Sequence, residues 1–240
     1  MRTDVSSKKP LIGILCWEKE SLPRGLVQLE ELPGNSTNPE TFEFPVKYCR
    51  IKGANIHTII ENPSQDVLQS MIDETRRMEE HGVRAITTSC GFNAVFQREL
   101  TDAVRVPVFT SSLIQIPLVQ NMLGEQQSIG VITAKKAALT EKHLHSVGIN
   151  NRFSIHIAGL ESCKEWNKMF SSPDADLDLQ IVENDVVHIA CSMMTVANIG
   201  AFVLECTDIP PFAHAIRKAT GRPVFDFVTL TNYVYQAIKS

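Results

Sequence analysis

The sequence predicts an α/β protein of two pseudo-symmetric lobes, each a short parallel sheet flanked by helices. Apolar runs of strand length alternate with helical patterns along most of the 240 residues, which is typical of parallel strands covered by helices. In addition, three landmarks recur at an offset of 116 or 117 residues, which indicates a duplicated unit. The matched pairs are Ile12-Gly13 with Ile129-Gly130, Cys90 with Cys206, and Pro107-Val108-Phe109 with Pro223-Val224-Phe225.

Each predicted element follows from a local pattern. Short apolar runs predict strands over 11–17, 46–51, 84–90, 106–110, 127–133, 154–160, 201–205 and 224–227. In 66–80 the apolar residues fall on one helical face, and Gly82 follows as a stop signal. Further helices are predicted over 93–103, 139–146 and 177–198, and at the C-terminus after the last strand.

The duplication also predicts how the chain divides. Residues 1–115 with about 222–240 form the first lobe, which contains Cys90, and residues 116–221 form the second, which contains Cys206. Ligand groups gather at the carboxyl ends of parallel strands. If the lobes face each other about a pseudo-twofold axis, the two cysteines approach one cleft from opposite sides.

Composition excludes several classes of partner. The net charge is -4 and no window carries a basic run, so we do not expect nucleic acid as a partner. No stretch approaches the roughly 18 apolar residues of a membrane span. The N-terminal residues show no secretory signal, so we expect a cytoplasmic protein. A homo-oligomer is compatible with the sequence.

The six cysteines lie far apart and form no CxxC pair. This spacing predicts free thiols, with no zinc ribbon, no thioredoxin motif and no metal site. Four of them are expected to be inert packing residues. These are Cys16, Cys49, Cys163 and Cys191.

Cys90 and Cys206 differ because each ends a predicted strand and precedes a helix. Asp208 is the predicted N-cap of the helix after Cys206. Unpaired N–H groups at a helix start should lower the pKa of a neighbouring thiol. The same N–H groups, together with nearby polar side chains, could hold a substrate carboxylate. Those side chains belong to Thr88, Ser89, Asn93 and Thr207.

Two cysteine segments carry a family resemblance. Thr-Thr-Ser-Cys-Gly-Phe at 87–92 and Leu-Glu-Cys-Thr-Asp-Ile-Pro-Pro at 204–211, supported by 34–46 and 129–134, resemble the cofactor-independent aspartate/glutamate/hydantoin racemase superfamily. The resemblance implies two pseudo-symmetric lobes with the site between them, and no pyridoxal or other cofactor. It also implies a two-thiol acid–base mechanism, with a base on one face of a carbon and an acid on the other.

The resemblance sets the expected substrate and site. We predict a racemase or epimerase acting next to a carboxylate or carbonyl, on an amino acid or a hydantoin. Glutamate itself is disfavoured, because Cys16-Trp17 and Asp208 stand where glutamate racemases carry Asp-Ser and His. Cys90 and Cys206 are the predicted catalytic residues. The predicted substrate-binding residues are Thr88, Ser89, Gly91, Phe92, Asn93, Thr133, Thr207 and Trp17.

Two other functions remain open on the sequence. A decarboxylase of the arylmalonate type, or a cis-trans isomerase of the maleate type, would use one cysteine and keep the other for packing. A non-catalytic protein could hold a small carboxylate between the lobes, although binding needs no thiol. Residues 18–45 are too long for an ordinary connection, and we interpret them as a loop over the cleft.

Overall fold

The computed structural model describes residues 9–239 and contains two four-stranded sheets. The first sheet has the order β2-β1-β3-β4 and the second has the order β6-β5-β7-β8, with every pair of strands parallel. The predicted fold class, a duplicated α/β unit with two parallel sheets, is therefore confirmed. The strands are β1 Ile12–Cys16, β2 Val46–Arg50, β3 Ala85–Thr88, β4 Val108–Phe109, β5 Ser128–Thr133, β6 Ile155–Gly159, β7 Ile199–Leu204 and β8 Val224–Phe225.

Helices cover both sheets. They are α1 Arg24–Glu30, α2 Gln65–Glu80, α3 Gln97–Asp102, α4 Ile116–Gln120, α5 Glu141–Ser146, α6 Lys164–Ser171, α7 Leu179–Val196, α8 Ala213–Thr220 and α9 Phe227–Ile238. Short 3-10 helices precede several of them, including those over Gly91–Phe96, Ser112–Gln115 and Pro210–Phe212. Within residues 9–239, no helix combines the length and the apolar character that crossing a membrane requires.

Close packing explains why glycine occurs at the two equivalent positions 13 and 130 of the duplicated unit. A side-chain carbon at Gly13 in β1 would lie 2.4 Å from the sulfur of Met78, which belongs to α2. One at Gly130 in β5 would lie 2.7 Å from the ring of Phe202 in β7. Each central strand therefore uses glycine where a bulky neighbour lies against its backbone, and this explains why the pair recurs in the sequence.

The lobes exchange their last helical segments. Phe227 and Leu230 of α9 pack in one apolar cluster with Ile12, Ile14 and Phe109 of the first sheet. In the other direction, the 3-10 helix after β4 packs against β7, and α4 packs against β5. The predicted boundary at about 222 needs one correction, because β8 pairs with β7 and so belongs to the second sheet. Only α9 returns to the first lobe.

Three local predictions also need correction. Residues 18–45 form no simple loop, since they contain α1. The helix predicted over 93–103 is a 3-10 helix followed by α3. Asp208, which we expected to cap a helix, caps none: the 3-10 helix at Pro210 begins after Ile209 without a side-chain cap.

Candidate active site

A cavity lies between the lobes, where the carboxyl ends of β3 and β7 meet. Segments of both lobes form its wall. The lining residues are Trp17, Leu22, Leu26, Glu30, Thr37, Ile56, Ile60, Ser89, Cys90, Gly91, Phe92, Ala134, Trp166, Met169, Phe170, Cys206, Thr207 and Asp208. The wall thus contains a small set of polar groups in a largely apolar and aromatic surface, as ligand pockets commonly do.

Cys90 and Cys206 are both in this wall, one from each lobe. Each side chain is 7 % exposed and is a free thiol. Cys90 follows β3 directly before the 3-10 helix at Gly91, and Cys206 follows β7 before the 3-10 helix at Pro210. The duplicated position of the two cysteines therefore brings them to one cavity.

The electrostatics of the thiols differ from the expectation. Burial raises the pKa of both Cys90 and Cys206 well above the ordinary thiol value, and nearby carboxylates raise it further. Backbone N–H groups of Phe92 and Asn93 lower the pKa of Cys90, as predicted, but this effect is the smaller one. The raised pKa values keep both thiols protonated at neutral pH.

Cys206 is hydrogen-bonded to an acid. Its Sγ donates to Oδ2 of Asp208 at 3.6 Å. Asn35 in turn donates from Nδ2 to Oδ1 of the same carboxyl at 2.8 Å. Burial raises the pKa of Asp208 to about 7, although the hydrogen bond from Asn35 lowers it. The carboxylate form of Asp208, which becomes the major form above about pH 7, is therefore placed to accept the proton of the Cys206 thiol.

Hydrogen bonds between the lobes hold the cysteine segments together. The hydroxyl of Thr207 donates to the carbonyl of Ser89. The backbone N–H of Ser36 donates to the carbonyl of Thr207 at 3.4 Å. Ser112 donates its hydroxyl to the carbonyl of Leu204 at the end of β7. The loops that carry the two thiols are therefore fixed to each other as well as to their own sheets.

The predicted binding residues fall into two groups. Five of them line the cavity with the thiols: Trp17, Ser89, Gly91, Phe92 and Thr207. The other three, Thr88, Asn93 and Thr133, are buried behind the wall. There Thr88 donates to the carbonyls of Cys90 and Thr110, and Thr133 donates to a carboxylate oxygen of Glu205.

The segment after β1 covers one side of the cavity. Leu22, Leu26 and Glu30, in or just before α1, belong to the wall. Arg50 contacts both oxygens of the Glu30 carboxylate, at 3.1 and 3.0 Å. Sequence reasoning favoured a cover here but missed the helix, because Pro, Gly and polar residues surround a single short apolar face.

Sequence reasoning also missed an aromatic contribution from the second lobe. Trp166 and Phe170 of α6 line the cavity together with Trp17 and Phe92. The indole Nε1 atoms of Trp17 and Trp166 are buried and have no hydrogen-bond partner. The spacing of two aromatic residues on a helix predicts only a buried face, so the sequence carried no signal for a ligand site in α6.

The family model of the Asp/Glu/Hydantoin racemases matches residues 45–231. A dimethylsulfoniopropionate lyase from Durusdinium sp. clade D is 28 % identical over 220 residues, which cover 87 % of this chain and 72 % of that protein. Dimethylsulfoniopropionate lyase 6 from Emiliania huxleyi (strain CCMP1516) is 30 % identical over 212 residues, or 83 % of this chain. The chain spans about half of this second relative, 54 % of its length.

A solved structure shows the same fold. The allantoin racemase from Klebsiella pneumoniae superposes with a TM-score of 0.62 at 11 % sequence identity, covering 96 % of this chain and 87 % of that one. At this identity the similarity concerns the fold alone. It agrees with the two-lobed architecture that the duplicated sequence predicts.

Proposed function

The chain belongs to the Asp/Glu/hydantoin racemase family, and from this membership we propose that it is an enzyme that removes a proton from the carbon next to a substrate carboxylate. The observation that carries the proposal is the position of Cys90 and Cys206, one from each lobe, in the wall of a single cavity. A C–H bond of low acidity needs a base held against it, and a thiolate can serve as one. The proposed chemistry uses no cofactor.

Cys206 is the base in this proposal. Its thiol is hydrogen-bonded to Asp208, whose pKa of about 7 makes the carboxylate available above neutral pH. Transfer of the thiol proton to Asp208 leaves a thiolate that takes the α-proton of the substrate. Sharing one negative charge between sulfur and carboxylate avoids two buried charges side by side, which would be costly.

Of the reactions that can follow removal of the α-proton, we favour elimination, because the two relatives described above are dimethylsulfoniopropionate lyases. That substrate has a carboxylate and a dimethylsulfonium group on the β-carbon. When the α-proton is removed, its electron pair forms a carbon–carbon double bond and the C–S bond breaks. Dimethyl sulfide leaves with the electrons of that bond, acrylate remains, and the proton passes from the enzyme to water.

The cavity wall supports a methylated cation as substrate. The side chains of Trp17, Phe92, Trp166 and Phe170 belong to the wall, and the faces of aromatic rings attract cations. Among the described residues that line the cavity there is no lysine or arginine. A substrate with a second carboxylate, such as aspartate or glutamate, would find no cationic partner there.

Racemisation is the second candidate, and the second thiol favours it. Elimination needs one base, whereas inversion needs an acid on the opposite face of the carbon. Cys90 lies in the same cavity, and backbone N–H groups of Phe92 and Asn93 can stabilise its thiolate. An amino acid or hydantoin would then lose its proton to one thiol and receive one from the other.

The test measures both outcomes on one preparation. Dialysed protein is incubated with dimethylsulfoniopropionate, and dimethyl sulfide is measured by headspace gas chromatography. In parallel, amino acids, hydantoins and arylmalonates are incubated in deuterium oxide and followed by proton NMR. Release of dimethyl sulfide that Cys206→Ser abolishes supports the lyase. Deuterium exchange at the α-carbon of an amino acid or hydantoin, without release of dimethyl sulfide from dimethylsulfoniopropionate, supports the racemase. Loss of carbon dioxide from an arylmalonate indicates the decarboxylase alternative. If the protein transforms none of these compounds, the enzymatic proposal is wrong.

A further inference from the structure

Glu205 is a buried carboxyl group that the proposed mechanism does not use. It follows β7 and precedes Cys206, and its side chain is 0 % exposed. Oε2 accepts a hydrogen bond from the Thr133 hydroxyl at 2.7 Å. Oε1 has no hydrogen-bond partner. A buried acid with one oxygen left without a partner is costly as a carboxylate, so its protonation state is sensitive to its neighbours.

The carboxyl group reaches from the second lobe to the residue after Cys90. A side-chain carbon built at Gly91 would lie 2.3 Å from Oε1 of Glu205 and 2.1 Å from its carbonyl oxygen. Glu205 therefore lies directly against the backbone of Gly91. It does not line the cavity, which means that it lies behind the wall formed by the two cysteine segments.

We propose that Glu205 is a positioning residue that stores a proton behind the two thiols, and that its ionisation opposes the ionisation of Cys90. In the neutral form, Glu205 adds no charge next to the Cys90 segment. In the carboxylate form, its negative charge holds the Cys90 thiol protonated. The protonation state of the Cys90 thiol, on the first-lobe side of the cavity, thus depends on the ionisation of Glu205 in the second lobe.

The groups around Glu205 support this coupling. Asp208, Cys90 and Cys206 are the titratable groups that act on it or respond to it. All of them become negative on ionisation. Burial raises the pKa of Glu205 to about 7, with the Thr133 hydrogen bond lowering it and Asp208 raising it. Four acids in one desolvated region cannot all ionise, so each proton lost makes the next harder to lose.

The experiment compares the reactivity of Cys90 in wild type and in Glu205→Gln. Glutamine keeps an acceptor for Thr133 but cannot ionise. The rate of alkylation by iodoacetamide is measured from pH 6 to 10, and mass spectrometry of the peptides separates Cys90 from the other cysteines. Asp226→Asn is the matched control: Asp226 is a buried carboxyl that caps α9 outside the cavity, and asparagine caps equally well.

We expect the E205Q profile to move to lower pH, with alkylation of Cys90 about tenfold faster at pH 8. D226N should follow the wild type. Thr133→Val provides a second test if E205Q does not fold, since loss of the hydroxyl donor keeps Glu205 neutral to higher pH and shifts the profile in the same direction. An unchanged profile in the folded variants overturns the inference.

The inference rests on the proposed function only where it concerns turnover, and the two can fail separately. A shifted alkylation profile in a protein that transforms none of the tested compounds would reject the proposed function and keep the role of Glu205. Turnover with unchanged alkylation profiles would keep the function and reject the role of Glu205.

Discussion

Asn35 in the first lobe donates a hydrogen bond from Nδ2 to Oδ1 of Asp208 in the second lobe, at 2.8 Å. The other oxygen of Asp208 accepts from Cys206. The Asn35 amide of the first lobe therefore orients the Asp208 carboxyl group, which accepts the hydrogen bond of the Cys206 thiol in the second lobe. Because Asn35 stabilises the carboxylate, it also lowers the pKa of Asp208 against the larger effect of burial.

Replacing Asn35 should shift the pH dependence of the reaction. Asn35→Ala removes the donor, so the pKa of Asp208 rises and less carboxylate is present at pH 7. We expect kcat/KM at pH 7 to fall about threefold to tenfold and the ascending limb of the pH profile to move to higher pH. Asn38→Ala is the control, because Asn38 lies in the same segment but donates to the carbonyl of Glu30. An ascending limb equal to that of N38A would contradict the role of Asn35.

Replacing either thiol separates the two candidate reactions. Cys206→Ser should reduce elimination about 100-fold or more, since a serine hydroxyl is a far weaker acid than a thiol. Cys90→Ser should reduce racemisation to a similar extent but affect elimination less. In racemisation each variant should still exchange the α-proton of one enantiomer, and the two variants should prefer opposite enantiomers. Cys49→Ser, outside the cavity, is the control. Near wild-type rates in both variants would show that the thiols only pack.

Gly91→Ala should destabilise the contact between the lobes. The added carbon would meet the carbonyl oxygen of Glu205 at 2.1 Å, and backbone atoms cannot move aside as easily as a flexible side chain. We expect a loss of about 2 kcal/mol in the free energy of unfolding, measured by urea denaturation. Gly124→Ala, whose nearest neighbour would be 3.6 Å away, should cost at most about 0.5 kcal/mol. Equal costs for the two variants would show that the lobes adjust freely at Gly91.

Trp17→Leu should weaken recognition of a cationic substrate. The neutral isostere 4-methylpentanoate replaces the sulfonium sulfur by carbon, so a cation–π interaction is absent from its complex. We expect KM for dimethylsulfoniopropionate to rise about tenfold, with a smaller change in the inhibition constant of the isostere. Tyr233→Leu, at an exposed ring outside the cavity, should change neither constant. Parallel losses for both ligands would assign Trp17 to packing alone.

The fold was predictable because its signals are local and occur twice. Buried parallel strands require continuous apolar runs, and these runs gave all eight strands to within a few residues. The helices α1, α4 and α6 were missed, since each is short and its apolar residues show fewer than three full turns of periodicity. The prediction assigned both β8 and α9 to the first lobe, but β8 pairs with β7 of the second sheet.

The candidate site was less predictable, because its geometry depends on contacts between distant segments. The equivalent positions of Cys90 and Cys206 in the duplicated unit predicted that they approach one cleft, and both residues line one cavity. Burial is a tertiary property, so the direction of their pKa shift could not be read from a helix start alone. The contact of Asn35 with Asp208 spans 173 residues, and no local pattern indicates it.

The return of α9 to the first sheet has a consequence during protein synthesis. Ile12, Ile14 and Phe109 of that sheet leave the ribosome more than 100 residues before Phe227 and Leu230, which pack over them in the folded protein. Until residues 227–238 emerge, this apolar face lacks the helix that covers it in the folded protein. The second sheet, made later, receives its covering segment from residues 112–120, which are already present. The half of the molecule translated first is therefore the half that is completed last.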